Sequence, residues 1–87
     1  MADNSKRHPL QTVLLDSVRS GCCVRVEGID AGHGLANRLA AMGIFRNEMM
    51  KVIRNDGAGQ IIVEVKHSKV ILGRGMGHKI LVAPERF

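Results

Sequence analysis

A mainly β fold, a small barrel that carries one short helix, is what this chain predicts, and three observations predict it. An amphipathic stretch near the middle ends on a glycine. Short runs rich in Val and Ile, each of strand length, follow that glycine to the end of the chain. Residues that favour tight turns lie between those runs.

Taken in order, residues 1–8 are polar and aperiodic, and a disordered tail is expected there, with one domain over 9–87 and order setting in near Leu10. A first strand is expected over Cys22 to Ile29, with Cys22, Val24 and Val26 inward and Cys23, Arg25 and Glu27 outward, because strand side chains alternate between faces. A helix is expected from His33 to Met42, where Leu35, Leu39 and Met42 share one face of a 3.6-residue period. Gly43 should end it, since a left-handed residue after the last turn is easy for glycine.

Four runs follow, Met49 to Arg54, Ile61 to Lys66, Lys69 to Leu72 and Lys79 to Val82, and all read as strands. Asn55-Asp56-Gly57-Ala58-Gly59 reads as one hairpin turn and His67-Ser68 as another. Gly73-Arg74-Gly75-Met76-Gly77 reads as a tight, 3₁₀-like connection into the last strand.

A chain of 87 residues makes one domain, and a domain of that size buries only about 60% of the surface its unfolded chain exposes. No apolar run approaches the roughly 20 residues that cross a bilayer, and the N-terminus lacks a signal peptide's apolar core, so a cytoplasmic protein is expected. Adjacent cysteines make a poor structural disulfide, and Cys22 and Cys23 suit a reducing compartment, one as a small core residue and the other as a surface thiol.

The chemistry-bearing residues exclude several classes. His8, His33, His67, His78, Cys22 and Cys23 form no CxxC, HxxxH or HExxH pattern, so no metal site is expected; an exposed histidine with the Cys23 thiol suffices only for adventitious or transient divalent-metal binding. The alternating glycines at 73, 75 and 77 have neither dinucleotide nor P-loop spacing. No nucleophile has a base beside it and no carboxylate pair stands on one rigid element, so neither catalytic residues nor a required cofactor is expected. A net charge of +5 and a pI near 9.9 permit an acidic partner. Nucleic acid is not expected among these, because Phe45 and Phe87 are the only aromatics and supply no stacking platform.

The strands also carry apolar residues on both phases. Ile61, Val63 and Val65, with Val70, Leu72, Ile80 and Val82, can fill a barrel, yet Ile62, Ile71 and Leu81 lie on the opposite phase. Either the helix covers that second face or the face stays exposed for docking.

Between Leu14 and Val82 the chain resembles the FeoA family, small cytoplasmic proteins of bacterial ferrous iron transport. The resemblance rests on Leu14-Leu15-Asp16-Ser17-Val18 leading to Gly21, on the helix end Leu39-Ala40-Ala41-Met42-Gly43-Ile44, and on the closing runs Gln60 to Val65, Val70 to Arg74 and Lys79 to Val82. Two positions depart from the family pattern. Arg46-Asn47 stands where members often carry a proline-glycine turn, and Met42 stands where they carry leucine. Asn47 tolerates a left-handed conformation, so a turn is still expected.

What the resemblance implies is an SH3-like barrel of about five strands with a short inserted helix and a short N-terminal helical segment. It also implies a non-enzymatic partner of the membrane GTPase transporter FeoB, contacting that protein's cytoplasmic part, modulating Fe(II) transport, and reaching the membrane through it alone. The partner-binding residues expected are Arg38, Leu39, Met42, Gly43 and Ile44, at the helix and its exit. Two rivals stand beside this reading: an SH3-like regulatory module related to metal-dependent repressor domains, and a basic small barrel that binds nucleic acid.

Overall fold

The computed structural model describes residues 12–57, 59–73 and 75–85. Six strands, β1 (Val13–Leu14), β2 (Cys23–Ile29), β3 (Met49–Asn55), β4 (Ile61–Val65), β5 (Ser68–Leu72) and β6 (Ile80–Pro84), form one antiparallel sheet in the order β1-β6-β2-β3-β4-β5. The helix α1 (His33–Ala41) is inserted between β2 and β3. This is the predicted barrel, with two amendments. The sheet curls without closing, and its sixth strand is the two-residue β1, whose pairing to β6 starts at Val13 opposite Val82. The expected N-terminal helical segment is a single 3₁₀ turn, Leu15–Ser17. The expected tail at 1–8 lies outside the described residues.

The core follows the period-2 pattern. Val24 and Val26 of β2, Val52 of β3, Val63 of β4 and Val82 of β6 are fully buried, and Leu15 seals the entrance from the 3₁₀ turn. The second apolar phase stays outward: Ile62 is half-buried and Ile71 is 63% exposed. The helix therefore joins the inner phase instead of covering the outer one, with Leu39 fully buried and Leu35 packed on the core.

Two sequence expectations slip by one residue. The β4–β5 turn is Lys66-His67, not His67-Ser68, because Val65 pairs directly with Ser68. Both turn residues have positive φ, 49° and 69°, as a type I′ hairpin requires. The first strand begins at Cys23, so the inward role expected of Cys22 is not realised: Cys22 is exposed, while Cys23 is half-buried on the outer phase. Cys22 belongs to the turn before the strand, where its N–H donates to Arg19 O at 3.3 Å and its carbonyl accepts from Val52 N–H at 2.8 Å. Its side chain thus has no place in the barrel interior.

The last connection is a 3₁₀ turn, Gly77–Lys79. Gly77 has to be glycine on packing grounds. A Cβ there would lie 2.7 Å from Ile61 Cδ1 and 2.8 Å from Asp16 Cβ.

Candidate partner-docking site

The helix exit is built by a Schellman motif. Ile44 N–H donates to Leu39 O at 2.9 Å and Gly43 N–H to Ala40 O at 2.9 Å, which satisfies two carbonyls that a helix end leaves open. Gly43 takes the left-handed residue of the motif at φ 90°, and its Cα sits so near β4 that an added Cβ would be 3.1 Å from Val65 Cγ1. The motif also brings together a hydrophobic residue in the last helical turn and one just past the glycine. Here these are Leu39 and Ile44, both fully buried.

That burial divides the five residues expected at the site. Leu39 and Ile44 are core side chains that hold the exit turn in place from below. Arg38 and Met42 are exposed, and Gly43 is half-buried. The helix ends at Ala41, one residue earlier than expected, with Met42 as its cap at φ −95° and ψ 6°. Ile44 is drawn inward, so its neighbours are driven out: Met42 is 39% exposed and Phe45 42%. Two large, partly exposed apolar side chains three positions apart on one hydrogen-bonded turn are the feature of interest here, since singly scattered exposed residues are ordinary.

The turn is tied on both sides. Glu48 N–H donates to Phe45 O at 3.0 Å, Asn47 N–H to Val26 O at 2.7 Å, and Asn47 has the left-handed conformation expected of it, at φ 76°. From the β4–β5 turn, Lys66 Nζ stands 5.5 Å from the centre of the Phe45 ring and 3.4 Å from Glu48 Oε1. Phe45 and Lys66 are the site residues that sequence reasoning missed. The signal for Phe45 was present, a large aromatic one step beyond a residue that a Schellman motif must bury.

A shallow groove of about 660 Å³ runs from Lys66 and Glu48 across the outer face of β2, β3 and β4. Met49, Lys51, Glu64 and Cys23 line it, with Glu85 at the far end, where Arg25 Nη1 pairs with it at 3.1 Å. Among the described residues no three His, Cys, Asp or Glu side chains converge on one point. No described helix is long and apolar enough to cross a membrane. The arrangement can bind a chain or a surface through apolar contact and charge.

These features define a small SH3-like β domain with one inserted helix. Residues 13–84 match the FeoA domain family, and the chain belongs to it. The chain is 46% identical over 59 residues to a putative Fe(2+) transport protein A of Methanocaldococcus jannaschii, an alignment spanning 68% of this chain and 71% of that one. Its fold is similar to the crystal structure of an iron uptake regulatory protein, FeoA, with a TM-score of 0.80 at 24% identity, covering 85% of this chain and 99% of the other. A manganese-dependent transcriptional repressor carries a similar fold, with a TM-score of 0.75 at 28% identity, and there the match covers 85% of this chain and 42% of the repressor.

Proposed function

We propose that this chain is a non-enzymatic accessory protein of ferrous iron uptake. It docks through its helix-exit turn on the cytoplasmic part of a FeoB-type membrane GTPase transporter and modulates Fe(II) transport. The protein works at the cytoplasmic face, touches the membrane through its partner, and needs no resident cofactor, with iron as cargo of the partner. The observation that carries the reading is the pair Met42 and Phe45, held outward on a turn anchored by Leu39 and Ile44. Membership of the FeoA family and the relative named as an Fe(2+) transport protein support it.

The test is capture of the transporter's cytoplasmic domains by the full chain, with and without guanine nucleotide. The wild-type chain should retain them. Met42→Asp places a carboxylate in the apolar contact and should weaken binding about tenfold or more. Its thermal unfolding should match the wild type, because Met42 fills no core space. Equal retention by a folded Met42→Asp chain would remove the helix exit from the interface.

A second reading, a regulatory module of the kind found in metal-dependent repressors, is supported by the 28% identity to the manganese-dependent repressor. It would gain if the transporter domains fail to retain the folded chain while a repressor lacking its own barrel domain binds it.

A further inference from the structure

We propose that the helix-exit turn recognises an acidic amphipathic segment of its protein partner, whose carboxylates pair with Arg38 and Arg46 and displace Glu48 from Lys66. The inference rests on the docking reading above and adds the chemistry of the segment that docks.

The charge pattern around the apolar pair carries it. Arg38 lies in the last helical turn, four residues before the cap residue Met42. Arg46 follows Phe45 directly. Both are exposed, and among the described residues neither guanidinium has a partner. The third cation, Lys66, does have one, in Glu48, whose side chain is only 17% exposed. Arg38 and Arg46 thus flank Met42 and Phe45 along the chain, Lys66 lies over the Phe45 ring, and the acid that pairs with Lys66 is already engaged. Such a rim attracts carboxylates, while the apolar pair inside it needs apolar cover.

The backbone at Lys66 points the same way. A type I′ turn suits Asn-Gly, and here Lys66 and His67 hold the two positive-φ positions instead. Left-handed conformations of ordinary residues persist where the surroundings enforce them, and they gather at functional sites. What the unfavourable turn achieves is to hold the Lys66 amine over Phe45 and against Glu48.

The groove argues for a protein segment over an anionic bilayer. It is a shallow groove that continues from Lys66 past Met49 to Cys23, and Glu64 and Glu85 line it. A flat anionic surface would meet those carboxylates, whereas a chain can place its acids at the Arg38–Arg46 end and lay apolar residues along Met49. The docking segment is thus acidic at one end and apolar at the other.

Titration calorimetry of the full chain with the transporter's cytoplasmic domains, at about 50 mM and about 200 mM salt, tests this. Affinity should fall about tenfold over that range. The double variant Arg38→Gln, Arg46→Gln should bind about tenfold more weakly and lose most of the salt dependence. Glu48→Gln should bind two- to fivefold more tightly, roughly the gain expected when a competing carboxylate is removed, and Lys66→Gln should bind more weakly. Transporter binding that ignores salt and all these substitutions would overturn the proposal and leave the docking reading intact. No transporter binding, together with sedimentation on phosphatidylcholine vesicles containing about one quarter phosphatidylserine, would overturn both and make the patch a lipid contact.

Discussion

At the scale of single residues, Asn55 shows how one side chain joins distant parts of the chain. Its Nδ2 donates to Asp16 O at 3.0 Å and to Val18 O at 2.7 Å, and its own N–H donates to Ser20 Oγ at 2.8 Å. The segment that leads from β1 into β2 is thereby fastened to the end of β3. Asn55→Ala removes two hydrogen bonds, one of them part-buried, and a loss of about 1–2 kcal/mol is expected in urea unfolding. Gly77→Ala should lower stability by a similar amount, about 1–3 kcal/mol, since its methyl would overlap Ile61 and Asp16. The sequence shows Asn55 only as a turn residue, because its partners lie 35 to 39 positions away. Gly43 and Asn47, by contrast, were legible as left-handed residues, since that conformation depends on local sterics alone. The expectation for Cys22 fails for a related reason. Alternation puts Val24 and Val26 on the inner face, as observed, but Cys22 shares that face only if the strand reaches it, and the start is set by the hydrogen bonds of a turn.

At the scale of elements, the β4–β5 hairpin and the helix exit behave as a unit. A Cβ added at Gly43 would press on Val65 Cγ1 at 3.1 Å, and Lys66 reaches over Phe45. Replacing Lys66-His67 with Asn-Gly should relieve two left-handed residues and raise stability by about 1 kcal/mol in thermal or urea unfolding. The same variant should bind the transporter domains more weakly, because it removes the Lys66 amine. A turn variant that is stabilised and binds as well as wild type would mean that the strain at Lys66 serves nothing at this surface. The strands were readable because Ile61, Val63 and Val65 keep period 2 without interruption, as do Val24 and Val26. The two-residue β1 was not, since a strand that short has no period, and its pairing with Val82 and Leu81 comes from the far end of the chain. The surroundings of the candidate site were legible only in part. Helical spacing set Arg38 off the apolar stripe but grouped Met42 with the buried Leu39, and the buried pair Leu39 and Ile44 follows from reading Leu39 through Ile44 as a Schellman motif and not as a continued apolar face.

For the whole molecule, one curled sheet buries most of its inner phase and leaves charge and a few apolar residues outside. The net charge of +5 favours an acidic partner under the proposed reading, and Met42 and Phe45 are left partly uncovered. Ile71, more exposed than either, lies on β5 at the edge of the sheet, while Met42 and Phe45 stand on a rigid turn beside a groove. That rigidity matters, because a surface already ordered before contact loses little entropy on binding. The measurement that tests this most directly is chemical-shift mapping of the ¹⁵N-labelled chain titrated with the transporter's cytoplasmic domains. The largest changes should fall on Arg38, Met42, Gly43, Phe45, Arg46 and Lys66 and continue along Met49 and Lys51. Changes confined to β1, β6 or the Gly77–Lys79 turn, or none at all with a transporter fragment shown to be folded, would contradict the helix-exit interface.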